Sequence, residues 1–306
     1  MSNQNANRAG LTLGPLLHHW TPEARRDFYF RAADEMPVDT VYVGEVICSK
    51  REPFFQDHLP EVIDRLKSAG KEVVLSTLAL VTQPREVKAI REAADADLIV
   101  EANDVACLEA LHGRPHVIGP FINVFNEGAR DFVAKNGAFR VVLPVEAPAT
   151  SIKVLADNAG KLETEVLVFG KQTLSIAMRC YHARANGLTK DSCQFVCGLD
   201  PNGLNATTVT GDDILTINGT STMSNGYGVL LHELDALRTM GVTHFRLSPQ
   251  AVDMVEVARL FRDTLDGKLA PAEAETKLRP LTDPVPYVNG FYYGRVGLSW
   301  NERHAA

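Results

Sequence analysis

The chain has 306 residues, 45% of them hydrophobic, and a formal net charge of −7. That is enough apolar material for the core of one large α/β domain or two smaller ones. The negative balance disfavours non-specific nucleic-acid binding, which needs a positive surface, and no apolar run approaches a membrane span.

The chain opens on a polar stretch, MSNQNANRAG. It reads as a short disordered lead over 1–10 with no secretory signal, so the expected compartment is the cytoplasm. Strand-like runs rich in Val, Ile and Leu then alternate with helical stretches. The runs are LTLGPLL (11–17), VDTVYVGE (38–45), KEVVLSTLAL (71–80), ADLIVEA (96–102), PHVIGPFIN (115–123), FRVVLPVE (139–146), TEVLVFG (164–170) and VTHFRLS (242–248). Thr21-Pro22 opens the first helix as cap and first-turn proline, with Ala24, Phe28 and Ala32 on one face. Ala69-Gly70, Asn136-Gly137 and Ala159-Gly160 each end a helix before a strand. Met254, Ala258 and Phe261 share a face of the last helix, which stops at Asp266-Gly267.

Eight strands with seven excursions predict an α/β fold of the (β/α)8 TIM-like barrel type, over 11–267. The irregular excursion is a cysteine-bearing insertion, 171–228, between strands seven and eight. It holds a hairpin from Ala206–Thr210 and DILTING (213–219), turning at Gly211-Asp212. A helix over about 229–239 follows. The tail, 268–306, is proline-rich and ends in NGFYYGRVGLSW, whose aromatics are expected to pack on the barrel. There is no G-x-G-x-x-G and no phosphate-loop motif.

The chemistry concentrates in cysteine. Cys180, Cys193 and Cys197 crowd MRCYHARANGLTKDSCQFVC, and Cys48 lies upstream in GEVICSKR. In a barrel both segments leave the C-terminal ends of strands, where active sites collect. Four thiolates suit zinc or an iron–sulfur cluster. The spacing decides neither, although scattered ligands sit more easily on the separate corners of a cluster than in a tight zinc site. Cys107, in NDVACLEALHG, reads as a buried small hydrophobe. His182 is expected beside the metal as a hydrogen-bond neighbour. His18 and His19 follow the first strand, as catalytic or as plain loop residues. Glu45, Glu101, Asp104, Glu146 and Glu165 are strand-end acids, bases or clamps. The plainer reading pairs them with Lys50, Arg51, Arg179 and Arg184, which flank the cysteines and would offset a cluster's negative charge.

The stretches LGPLLHHW, YVGEVICSKR, VVLSTLALV, EANDV, TEVLVFG, MRCYHAR, Cys193-x3-Cys197, NGTSTMSNGY, FRLSPQ and NGFYYGR together resemble the UbiV-like proteins. These are iron–sulfur proteins of oxygen-independent ubiquinone biosynthesis, in the collagenase-like peptidase superfamily of unknown catalytic type. The resemblance runs from about residue 11 to 300. It implies a [4Fe-4S] cluster on Cys48, Cys180, Cys193 and Cys197, with Cys107 matching no ligand position. It implies a heterodimer with a UbiU-like sister protein, a UbiT-like lipid-carrier partner, and hydroxylation of the ubiquinone precursor ring without molecular oxygen. No catalytic residue is assigned by it. Competing readings are an RNA-base hydroxylation factor of the same superfamily, which the net charge opposes, and a metallopeptidase, which lacks H-E-x-x-H. A non-catalytic subunit that only carries a cluster and docks a partner is the remaining one.

Overall fold

The structure is a computed structural model that describes residues 8–157 and 159–301. Most of the expected lead, residues 1–7, and the last five residues of the tail lie outside the described residues. Eight parallel strands close on themselves: β1 (Gly10–Leu13), β2 (Thr40–Gly44), β3 (Glu72–Ser76), β4 (Ile99–Ala102), β5 (His116–Ile118), β6 (Ala138–Val142), β7 (Glu163–Ile176) and β11 (His244–Leu247). Each pairs with the next, and β11 closes the ring on both β1 and β7. The helices between them are α1 (Pro22–Asp34), α2 (Leu59–Ser68), α3 (Pro84–Asp95), α4 (Ala106–Ala110), α5 (Glu127–Lys135) and α6 (Ala149–Ala156). All eight predicted strands are present, and the fold is the expected β/α barrel.

Between β7 and β11 come α7 (Tyr181–Ala185), β8 (Leu204–Thr207), β9 (Asp213–Asn218), β10 (Ser221–Val229) and α8 (Leu234–Thr239). The predicted hairpin is β8–β9. The structure adds that β7 runs six residues past its predicted end at Gly170 and pairs antiparallel with β10, which pairs with β9. A four-stranded antiparallel flap therefore grows from one wall of the barrel. After β11, α9 (Met254–Leu265) and α10 (Pro271–Thr282) pack together, and β12 (Tyr287–Val288) pairs with β10. Tyr287 and Tyr292 of the tail are buried, and Trp300 stacks edge-on against Tyr287.

Local details depart from expectation for physical reasons. The buried face of α1 is Arg25, Tyr29, Ala32 and Ala33, one step round from the predicted face, and Ala24 is exposed. Polar atoms decide this. The Tyr29 hydroxyl accepts from the Leu16 amide and donates to the Tyr42 carbonyl, while Arg25 donates to the Gly44 carbonyl at 2.5 Å. Helix α6 closes at Asp157, before Ala159-Gly160, whereas Ala69-Gly70 and Asn136-Gly137 do follow α2 and α5.

The main core lies between strands and helices. Inside the barrel, Tyr42, Val74, Val117 and Val142 form one apolar layer. Next to it lies a buried ionic network. Arg246 reaches Glu165 at 2.6 Å and Glu101 at 2.8 Å. Glu165 also accepts from Thr12 at 2.6 Å and Tyr42 at 2.7 Å, and the Arg246 guanidinium lies 4.0 Å over the Tyr42 ring. Burial works against the Glu165 anion, but Arg246 and Arg140 outweigh it and draw the carboxyl down to about 2. Such a network is tolerated because opposite charges face one another and most of its polar atoms are paired.

A carboxyl held below its ordinary value of 4.5 adds stability that is complete above that pH and disappears as pH falls toward about 2. Glu165→Gln should abolish this acid-side contribution. Because it leaves Arg246 with half its counter-charge, it should also destabilise the fold at neutral pH by roughly 3–5 kcal/mol. Denaturant unfolding of both proteins between pH 2.5 and 7 checks the two effects together.

Candidate functional site

Cys48, Cys180, Cys193 and Cys197 line one narrow cavity of about 20 Å³, together with Lys50, Arg51, Lys190, Phe195, Val196 and Gly219. Cys107 is elsewhere, fully buried behind β4, with its sulfur 3.2 Å from the Thr77 hydroxyl. Each cysteine reaches the cavity by its own local device. Strand β2 ends at Gly44, whose positive φ of 118° and close approach to the Ser76 carbonyl leave no room for a side chain. Glu45 then accepts from the amides of Ile47 and Cys48, both at 3.1 Å, and so fixes the turn that presents Cys48. Cys180 caps α7, its sulfur 3.4 Å from the Ala183 amide. Between Cys193 and Cys197, Gln194 and Phe195 both take left-handed backbone conformations, φ 49° and 54°. Two adjacent non-glycine residues of this kind are costly, and such strain concentrates at functional sites. The tight turn they make brings both sulfurs into the same space.

Arg51 binds this assembly together. The residue is 2% exposed. Its guanidinium donates to the Leu17 carbonyl at 2.9 Å and to Asn218 Oδ1 at 3.0 Å. Asn218 donates to the same Leu17 carbonyl at 2.7 Å, and the Thr220 hydroxyl donates to the Ile47 carbonyl at 2.9 Å. The β9–β10 turn is thereby fastened to the loops after β1 and β2. Burial pushes the Cys48, Cys180 and Cys197 thiols up, and Arg51 pulls all three back. Lys50 donates to the Lys190 carbonyl at 2.7 Å, which ties the Cys48 loop to the segment before Cys193.

The donor set is all sulfur, surrounded by cationic side chains with no carboxylate in the lining. Soft thiolates in a basic surround fit zinc or an iron–sulfur centre and do not suit magnesium or calcium. Among the described residues, no group of three or more His, Cys, Asp or Glu side chains is arranged to hold a single metal ion. A metal would require the thiols to ionise, which Arg51 favours.

The other sequence candidates fall into place around this centre. His182 is fully buried beside Cys180 and pairs with Asp200 at 2.8 Å. His19 packs against Phe54 and Phe195 at the edge of the cavity, and burial followed by Arg51 lowers it to about 4. His18 is buried, lowered to about 3 by burial, Lys171 and Arg51, so both histidines are neutral at physiological pH. The expected salt bridges to Lys50, Arg51, Arg179 and Arg184 do not form. Glu45 pairs with Arg25, and Glu101 and Glu165 pair with Arg246. Asp104 accepts from the Val81 and Ala106 amides, and Glu146 is exposed at the barrel mouth. Arg179 and Arg184 are exposed, and Lys190 takes the place at the cavity that was expected of them.

A second, larger cavity of about 280 Å³ opens at the barrel mouth. Leu17, Phe121 and Leu143 line it above a polar floor of Glu101, Asn103 and Arg246, with Lys171 on the wall. An apolar cluster of Leu17, Val46, Ile47 and Met223 packs against Cys48, which lines the first cavity, and against Phe121 and Ile176, which line the second. Sequence reasoning missed Asn103, Lys171 and Arg246. The available signal was polar residues in inward register on strands otherwise made of Val, Ile and Leu.

The model of one protein family, Peptidase family U32, matches residues 28–302. Among solved structures, the chain is similar to dihydropteroate synthase from Thermus thermophilus, with 15% identity over 85% of this chain and 93% of that one and a TM-score of 0.43. It is also similar to the tryptophan synthase complex from Pyrococcus furiosus, with 9% identity over 88% and 97% and a TM-score of 0.43. No helix among the described residues is long and apolar enough to cross a membrane.

Gly219 has φ 62°, and a Cβ there would collide with Arg51 Nη2. Gly219→Ala should therefore displace Arg51 and destabilise the protein by more than about 1 kcal/mol. Thermal unfolding should show the loss, and Gly211→Ala, at a position with φ 95° and open space around it, should cost backbone strain alone and therefore less.

Proposed function

The chain belongs to peptidase family U32, and within it we propose a [4Fe-4S] protein that takes part in oxygen-independent hydroxylation of the ubiquinone precursor ring. The single observation behind this reading is the meeting of Cys48, Cys180, Cys193 and Cys197 at one cavity beside the barrel mouth. Four sulfurs arranged around a space, each from its own backbone turn, suit a cluster that takes one thiolate at each corner. A bound cluster would supply one-electron chemistry. Its four ligands have to spread outward from the present narrow cavity. The chain's own part is to hold the thiolates, to offset their negative charge with Arg51, Lys50 and Lys190, and to shield them beneath the flap.

The family name does not itself argue for proteolysis. No side chain in either cavity forms a serine or cysteine nucleophile paired with a base, and the cavity's cysteines are better employed as ligands. The resemblance of GEVICSKR and of the MRC…C…C pattern to UbiV-like proteins supports the quinone reading over RNA-base hydroxylation. It also supports a UbiU-like partner, a UbiT-like lipid carrier and a cytoplasmic setting. The net charge of −7 points the same way, away from RNA.

Protein purified without oxygen should be brown and contain about four irons and four sulfides per chain. Alanine at any of Cys48, Cys180, Cys193 or Cys197 should remove or destabilise the cluster, and Cys107→Ala should retain it. Stoichiometric zinc without iron after reconstitution would overturn the assignment. In cells, loss of the gene should stop ubiquinone synthesis without oxygen and spare it in air. Rescue by the wild-type gene but not by Cys180→Ala, read as quinone content by mass spectrometry, ties the defect to the cluster. Normal anaerobic ubiquinone in the deletion strain would contradict the proposed role.

A further inference from the structure

The segments that carry the sulfurs also carry exposed apolar side chains. Met178, shortly before Cys180, is 64% exposed, Tyr181, directly after it, is 46% exposed, and Leu199, shortly after Cys197, is 75% exposed. Helix α7 packs against the short helical turn Val196–Leu199, so Tyr181 and Leu199 stand on neighbouring elements. Phe54, also exposed, packs edge-on against Phe195, between Cys193 and Cys197. Apolar residues scattered singly over a surface need no explanation, but several gathered round one cavity mark a contact face.

The same face is positively charged. Arg179, Arg184 and Lys190 lie on this excursion, and none of the three makes a side-chain hydrogen bond or salt bridge among the described residues. The acids beside them are engaged, Asp191 with Lys50 at 3.5 Å and Asp200 with His182 at 2.8 Å. Glu52, on the Cys48 loop, lines a separate groove against α2 and α3. The rest of the chain is acidic, with a net charge of −7 overall. That contrast limits the partner. A long nucleic acid or an anionic membrane would extend past three cations onto the acidic remainder and be repelled there. A compact acidic protein meets this face alone, and the same field turns it into place. An apolar middle with a charged rim, over a small area, is also the make-up of transient electron-transfer contacts. Cys48 and Cys193 are only partly buried, so a protein seated here stands against the edge of the cysteine centre.

We propose that this face docks a small acidic electron-carrier protein, with Met178, Tyr181 and Leu199 at the middle of the contact and Arg179, Arg184 and Lys190 around them. Delivery of an electron rests on the iron–sulfur reading above: the reduced carrier gives up one electron, the cysteine-held cluster takes it, and no bond is made or broken. The docking itself does not rest on that reading. Anaerobic titration calorimetry of the purified full chain, its iron content recorded, tests it against an acidic [2Fe-2S] ferredoxin, an acidic flavodoxin, the basic carrier cytochrome c and a single-stranded RNA. Both acidic carriers should bind, and their affinity should fall at least about tenfold between about 0.05 M and about 0.3 M salt. Arg179→Glu combined with Arg184→Glu should weaken them at least about tenfold, whereas Lys67→Glu combined with Arg91→Glu, on α2 and α3, should not. Leu199→Ser should weaken them and leave the salt dependence unchanged. On protein with confirmed iron, stopped-flow mixing with the reduced ferredoxin should show electron transfer that the Arg179/Arg184 double reversal slows at least about tenfold at low salt. Should that double variant not fold, the four probes on the wild-type protein decide. Absence of binding by both acidic carriers, equal binding of cytochrome c, tighter binding of the RNA, indifference to the charge reversal, or no electron transfer into iron-containing protein overturns the assignment. Zinc in place of iron would instead overturn the proposed function and leave the binding comparison to decide the docking.

Discussion

The cysteine centre depends on one buried cation. Arg51 joins the loop after β1, through the Leu17 carbonyl, to the end of β9, through Asn218, while standing beside Cys197. Burial opposes its charge, and Glu45 together with the sulfurs of Cys197 and Cys48 holds it protonated. A desolvated guanidinium of this kind is stable only when its donors are used. The requirement is mutual. Arg51 helps to fasten the flap to the loops at the barrel mouth, and the flap contributes Asn218 to the partners of the buried Arg51.

This dependence accounts for the size of the insertion. Three of the four sulfurs arrive on the 171–228 excursion, and a loop of that length needs a scaffold if it is to place them reproducibly. The extension of β7 and its pairing with β10 supply that scaffold. Backbone hydrogen bonds carry the chain out from the barrel wall and back, and β12 adds a further parallel strand along β10. The strained turn at Gln194 and Phe195 is then held by its surroundings, with Phe195 packed against Phe54 at 4.6 Å and against His19 at 6.0 Å.

Much of this was legible in the sequence. The eight barrel strands announced themselves as runs of Val, Ile and Leu because both of their faces are covered. The gathering of Cys48 with the three later cysteines followed from topology, since both segments leave the same end of the barrel. The extension of β7 did not show, because KQTLSI and STMSNGYG are polar and the β7–β10 pairing contains two register shifts. The buried face of α1 lies one residue round from its apolar pattern because Arg25 and Tyr29, polar by composition, are buried with their hydrogen bonds made. The Arg51–Asn218 contact spans 167 residues, and no local pattern encodes it. Arg246 was hidden for the opposite reason, being a charged residue inside a barrel whose interior is normally filled by branched apolar side chains.

Leu17 lines one cavity and is bonded to the lining of the other. Its side chain lines the barrel mouth, and its carbonyl takes hydrogen bonds from Arg51 and Asn218 at the cysteine centre. A guest that moves this residue works against both of those bonds, and a change of charge at the sulfurs alters the strength of the Arg51 bond on which Leu17 rests. The two compartments are thus joined by thermodynamic linkage. Whatever free energy an occupant of one would impose on an occupant of the other would be returned in equal measure, so the charge carried at the sulfurs and the affinity of the barrel mouth would be a single coupled property.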